Sequence, residues 1–205
     1  MIPPSRTDRT REDPMPVGSS SRASLAARLD DLARLVMLTA LAAILTAAMV
    51  LQYGYGEVPC PLCLLQRVAM FGICFALMLH FRRGDRVRCV GLGIVSALFL
   101  LVVSARQTLL DICPLPGRSY VGSAVLGLHM PVWSVLVALA VIAAFAIQLA
   151  VLGGGEAREE ASSPLLARIA AVASVYVIAL CAMNLVSAIL QCGLGACHTT
   201  GYELL

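Results

Sequence analysis

The sequence predicts an all-α integral membrane protein: a four-helix transmembrane bundle core plus a fifth transmembrane helix. Three observations carry this. Of the 205 residues, 60% are hydrophobic and 13% charged, with a mean hydropathy of +0.88, more apolar surface than a water-soluble domain can use. The apolar residues gather in five runs, near 35–53, 64–81, 89–105, 131–152 and 169–190, each close to the ~20 residues that cross ~30 Å of hydrocarbon. None of the runs alternates as a barrel strand must, so the spans are helices.

Residues 1–34 lead the chain. Pro, Ser and Arg dominate their first part and no apolar period is present, which predicts a disordered cytoplasmic tail. The first run is too long for the core of a signal peptide, and "QYGYG" at 52–56 makes a poor cleavage site, so a retained anchor is expected. The second and third runs are the short ones, each with polar residues at one end. Gly91, Gly93 and Ala97 in the third suggest close helix packing. The fourth run closes a core over 35–152. "GGGEAREEASSP" lies in a flexible cytoplasmic linker, 153–168, and 169–205 forms the fifth helix with a cysteine-bearing tail. Trp133, Tyr53 and Tyr55 fall where an interfacial aromatic belt is expected. Asn184, deep in the fifth run, should hydrogen-bond a neighbouring helix.

Charge sets the orientation. There is no lysine, and twelve of the fifteen arginines fall in the tail, the second connection and the linker if the N-terminus is inside. Positive residues stay on the cytoplasmic side, so the N-terminus is expected inside and the C-terminus outside. Nothing in the composition points to nucleic acid.

This topology sorts the eight cysteines. Cys60, Cys63, Cys113, Cys192 and Cys197 fall outside, which in a bacterial cell is the oxidising side. Cys74, Cys89 and Cys181 fall within or near the spans, where a free cysteine packs as a small hydrophobe. Five outer cysteines allow two disulfides and leave one thiol for exchange. His80, His129 and His198 read as surface groups.

The stretch "VPCPLCLLQR", 58–67, carries the chemistry. With Pro61 at the first helical position, Cys60 is the cap and Cys63 lies in the first turn. A thiolate there meets free backbone N–H groups and the positive end of the helix dipole. Arg67 follows Cys63 by one turn on the same face. Both effects pull a cysteine pKa well below ~8.5, making Cys63 the activated sulfur. A charge at the edge of a span costs free energy and is either an interfacial anchor or functional. Beside a Cys-x-x-Cys, Arg67 is expected to stabilise an anion: the thiolate, or a reduced lipid-soluble acceptor. A quinone suits that role, since closing a disulfide releases two electrons.

The pattern Cys60-x-x-Cys63-x-x-x-Arg67 after the first span, with Leu126-Gly-Leu-His-Met-Pro-Val-Trp133 at the start of the fourth, resembles the disulfide bond formation protein B (DsbB) family. The resemblance runs from about residue 35 to 152. It implies a thiol:quinone oxidoreductase of the bacterial inner membrane. Such an enzyme reoxidises a periplasmic thioredoxin-like dithiol oxidase (DsbA-like) and passes two electrons to ubiquinone or menaquinone, supporting disulfide bond formation. It further implies that Cys63 engages the quinone, Cys60 resolves, Arg67 stabilises the reduced state, and Gln107 sits near the quinone headgroup, where it can hydrogen-bond a quinone oxygen.

The sequence departs from that family in two places. The second outer loop, 107–130, holds one cysteine, Cys113, where the family has a pair, and a fifth span follows. Cys113 could pair with Cys192 or Cys197. Alternatively, Cys192 and Cys197 pair with each other and leave Cys113 as the attacking thiol, or form a structural staple. A rival reading is a membrane protein that binds a thiophilic metal through Cys60, Cys63, Cys192 and Cys197. Against it stand the oxidising compartment and the adjacent Arg67. Reductases of the vitamin K epoxide type carry their Cys-x-x-Cys late in the bundle, unlike this chain. A bare scaffold leaves Arg67 unexplained.

Overall fold

The computed structural model describes residues 19–84, 86–113, 124–152 and 163–193. It contains five long helices: α1 (Ser19–Gly54), α2 (Pro61–Arg83), α3 (Arg86–Ile112), α4 (Met130–Leu152) and α5 (Pro164–Cys192). All five have the length and apolar composition to cross a membrane, and the protein is an all-α, multi-pass membrane protein. Local chemistry sets several ends. Pro61 and Pro164 open α2 and α5 behind the capping residues Cys60 and Ser163. Gly84 ends α2 at φ 68°, its N–H bonded to the His80 carbonyl.

The helix α1 begins well before residue 35, so 19–34 is helical rather than part of the tail expected over 1–34. The reason lies in side chains that hydropathy scores as polar. Asp30 and Arg34 form an (i, i+4) ion pair at 3.2 Å, and Arg86 of α3 reaches the same Asp30 carboxylate at 2.9 Å. Both Asp30 and Arg34 are buried. Asp31 meets His80 of α2 at 3.4 Å, which takes His80 out of the surface role expected of it. The first helix is thus pinned to α2 and α3 by charge at the end where the tail enters.

The apolar core joins Leu38, Leu41 and Leu45 of α1 to Ile73, Cys74 and Leu77 of α2. Leu100 of α3, Phe145 of α4, and Val177 and Leu180 of α5 complete it. In the neighbour pattern α3 packs on α2 and α4, while α5 lies against α1 and α2. Gly93 lets α3 approach α4. A Cβ there would stand 2.5 Å from a ring carbon of Phe145. Gly91 has no such neighbour, whereas Gly93 and Ala97 face the packing. Large apolar side chains such as Val50, Phe75, Val102, Leu139 and Val172 point outward, as a lipid-facing surface requires. Cys181 belongs to that outward face, not to the core.

Before α4 the chain makes a short antiparallel hairpin, β1 (Ala124–Val125) and β2 (Leu128–His129). Its two-residue turn, Leu126-Gly127, has positive φ at both positions, 53° and 78°, the geometry that matches strand twist. The sequence places this stretch in the second outer loop and at the entry to the fourth span, with no sign of a hairpin.

Candidate functional site

Connectivity brings the end of α1, the start of α2, the end of α3, the start of α4 and the end of α5 to one end of the bundle. Cys60 takes the extended conformation of a helix cap, φ −68° and ψ 157°, and its Sγ accepts the Cys63 N–H at 3.1 Å. Cys60 and Cys63 are joined by a disulfide, their Cα atoms 5.0 Å apart. The bond therefore sits on the N-terminus of α2, where unpaired N–H groups and the helix dipole favour negative charge.

A relay of buried amides reaches these sulfurs. Gln107 of α3 donates its Nε2 to Cys60 Sγ at 3.3 Å and to Cys63 Sγ at 3.4 Å. Its Oε1 accepts from Gln66 Nε2 at 2.9 Å, and Gln66 Oε1 accepts from Ser134 Oγ of α4 at 3.1 Å. Three helices thus converge on one disulfide. Gln107, expected by resemblance near a quinone headgroup, is bonded here to sulfur.

Arg67 is buried, one turn behind Cys63. Its guanidinium donates to Gln52 Oε1, to the Ala48 carbonyl at 3.1 Å and to Asn184 Oδ1 at 3.5 Å, with Met49 Sδ at 3.8 Å. A snorkelling anchor would reach for headgroups. This one is turned inward by α1 and α5.

Cys60, Cys63, Gln66 and Arg67 line a cavity of about 450 Å³ between α1, α2 and α4. Leu45, Ala48 and Leu51 close one side, Met130, Trp133 and Val137 the other. Its volume and mostly apolar walls with a few convergent polar groups suit a small amphipathic molecule. Trp133, expected in an aromatic belt, is part of this wall.

The structure thus unites Cys60, Cys63, Arg67 and Gln107. Cys113, just past α3, is a free, exposed thiol, and Cys192 at the end of α5 is disulfide-bonded. The pairing of Cys113 with a tail cysteine is therefore not the one adopted. Cys197 and His198 lie outside the described residues. His129 faces Asp111 at 3.8 Å. Sequence reasoning missed Gln52, Gln66, Ser134 and Gln191. Their signal was present: each is a polar residue in or at the edge of an apolar run, where polarity is expensive and usually has a purpose.

The family model for "Disulfide bond formation protein DsbB" matches residues 30–119. The match takes in less than half of the chain and marks that segment as similar to the DsbB family. That segment holds Cys60, Cys63, Arg67, Gln107 and Cys113, and ends before α4 and α5. Among curated relatives, a disulfide bond formation protein B of Chromohalobacter salexigens is 35% identical over 101 residues, 43% of this chain and 56% of the relative. Another, of Cupriavidus metallidurans, is 36% identical over 73 residues, 35% of this chain and 45% of the relative. The chain spans about half the length of these relatives. No solved structure matches it. The matched segment therefore holds the disulfide, the arginine and the α1 wall of the cavity, while Met130, Trp133, Ser134 and Val137 of the α4 wall lie beyond it.

Proposed function

We propose that the protein is a thiol:quinone oxidoreductase of the bacterial inner membrane, with the redox end of the bundle on the periplasmic side. The observation that carries this reading is the Cys60–Cys63 disulfide at a helix N-terminus, beside Arg67, in the wall of an apolar cavity. The arginine distribution supports the orientation. The soluble partner is a thioredoxin-like dithiol oxidase.

The exchange balances in three steps. A partner dithiol attacks the tail disulfide of this chain; the partner leaves as a disulfide and the tail gains two thiols. The tail dithiol then reduces Cys60–Cys63 by exchange within the chain and recloses, and the Cys60–Cys63 dithiol closes in turn, giving up two electrons and two protons. Ubiquinone or menaquinone, when bound, accepts both. Leu45, Leu51, Trp133 and Val137 give the cavity apolar walls, while Arg67 and the start of α2 hold the Cys63 thiolate. Gln107 orients the pair of sulfurs. Cys192, already in a disulfide, supports a tail disulfide as the acceptor of the partner's electrons. Cys113 is then the free thiol that exchanges with it, and Cys197 belongs to the same tail.

The metal-binding alternative needs thiolates at Cys60, Cys63 and Cys192, and disulfides occupy those sulfurs. The deciding experiment is quinone reduction by purified protein supplied with a reduced thioredoxin-like dithiol. Wild type should turn over and Cys63→Ser should not. Cys113→Ser and the double variant Cys192→Ser/Cys197→Ser should slow the partner-dependent step. An inactive wild type that carries stoichiometric zinc or copper would overturn the proposal.

A further inference from the structure

The buried face of α5 runs Ala170, Ser174, Val177, Leu180, Asn184, Ser187 and Gln191. This is one stripe at helical spacing, and its character changes along its length. Val177 and Leu180 join the common core. From Asn184 onward every contact position is polar. A helix that merely anchors a chain in lipid gains nothing from three buried polar side chains in a row. Each of the three has a partner on the redox end of the bundle. Asn184 accepts from Arg67. Ser187 shares a hydrogen bond with Tyr53 of α1. Gln191 donates to the carbonyl of Pro59 at 2.6 Å.

We infer that α5 completes the redox site, with Asn184 and Gln191 as positioning residues for Arg67 and for the Cys60 cap. This rests on the oxidoreductase reading and deepens it. Arg67 has several rotatable bonds, and on the oxidoreductase reading it serves Cys63 from the one conformation that its buried partners hold. Asn184 does this from one side as Gln52 and Ala48 do from α1. Gln191 holds the peptide immediately before Cys60, the residue whose Sγ receives the Cys63 N–H. Cys192 follows directly, so the end of α5 that bears one disulfide is pinned to the loop that bears the other. The matched segment ends at 119, so these supporting hydrogen bonds come from residues outside it.

The test uses the full chain, reduced, in lipid nanodiscs. The rate of Cys63 alkylation by iodoacetamide is followed against pH by peptide mass spectrometry, and the quinone KM is measured separately. Hydrogen bonds between membrane helices are commonly worth about a threefold change in an equilibrium. Asn184→Leu should therefore move the Cys63 alkylation midpoint about half a unit to higher pH and raise the quinone KM about threefold. Gln191→Leu should shift the midpoint in the same direction, because the helix start that stabilises the thiolate loosens. Ser174→Ala, on the same face but bonded only to its own helix, should move neither. Should Asn184→Leu fail to assemble, Asn184→Ser carries the same test. Wild-type midpoints in the Asn184 and Gln191 variants would overturn the inference, whatever the quinone activity. A wild type that reduces no quinone would instead sink the oxidoreductase reading and leave the alkylation result to decide the role of α5.

Discussion

Gln107 illustrates how much one side chain decides. Its amide NH2 donates to both sulfurs and its carbonyl oxygen accepts from Gln66. Replacement by leucine removes these bonds and leaves the buried Gln66 amide short of a partner, a cost of about 1–3 kcal/mol. We expect Gln107→Leu to fold with reduced thermal stability and to show a changed Cys60–Cys63 redox equilibrium against glutathione. Arg67 tests the chemistry more directly. Arg67→Met should lower quinone reduction by about 10²-fold, the scale of losing one preorganised charge donor. Exchange of the Cys60–Cys63 disulfide with a small dithiol should persist, and stopped-flow kinetics would separate the two. Equal loss of both steps would show that Arg67 acts only on folding.

Elements are held together by two different devices. At the end where the chain enters, Asp30 joins Arg34 and Arg86, and Arg34 is fully buried with two terminal nitrogens that have no other hydrogen-bond partner. Asp30→Asn removes the anion that offsets two arginines, and breaking such a buried network costs about 3–5 kcal/mol. Thermal unfolding in detergent should show that loss, whereas Arg28→Gln should be near neutral. Midway along the bundle the device is steric. Gly93→Ala drives a methyl group into the fully buried Phe145 ring, which costs about 1–3 kcal/mol in a packed core. Gly91→Ala, facing open space, should cost nothing measurable in the same assay. The run of hydropathy placed all five helices because it responds to ~20 residues at a time. It missed the first sixteen or so residues of α1 for the same reason: a buried ion pair scores as polar until its partner on another helix is known.

Across the whole molecule, the cysteines report the topology. A membrane-impermeant maleimide applied to spheroplasts should label Cys113, which is exposed beyond α3, and spare Cys181, which is exposed on the lipid-facing side of α5. Labelling of Cys113 only after the inner face is opened would reverse the orientation drawn from the arginines. The same experiment on reduced protein should add Cys192 to the labelled set, since its sulfur is bonded before reduction. The two disulfides and the free thiol then share one side of the membrane, as electron relay between them requires.

What the sequence by itself determined is local. Five spans, the cap at Cys60, the helix start at Pro61 and the register of Arg67 one turn behind Cys63 all follow from residues close together in the chain. The tertiary structure alone decided which groups complete the site. Gln107 reaches the sulfurs across 44 and 47 residues, Asn184 reaches Arg67 across 117, and Gln191 reaches Pro59 across 132. Each of these glutamines and asparagines looks alike in a one-dimensional pattern, a polar residue in an apolar run. What distinguishes them is the direction each faces once five helices have packed, and in a bilayer that direction is fixed by the partner that spares a buried amide from standing alone.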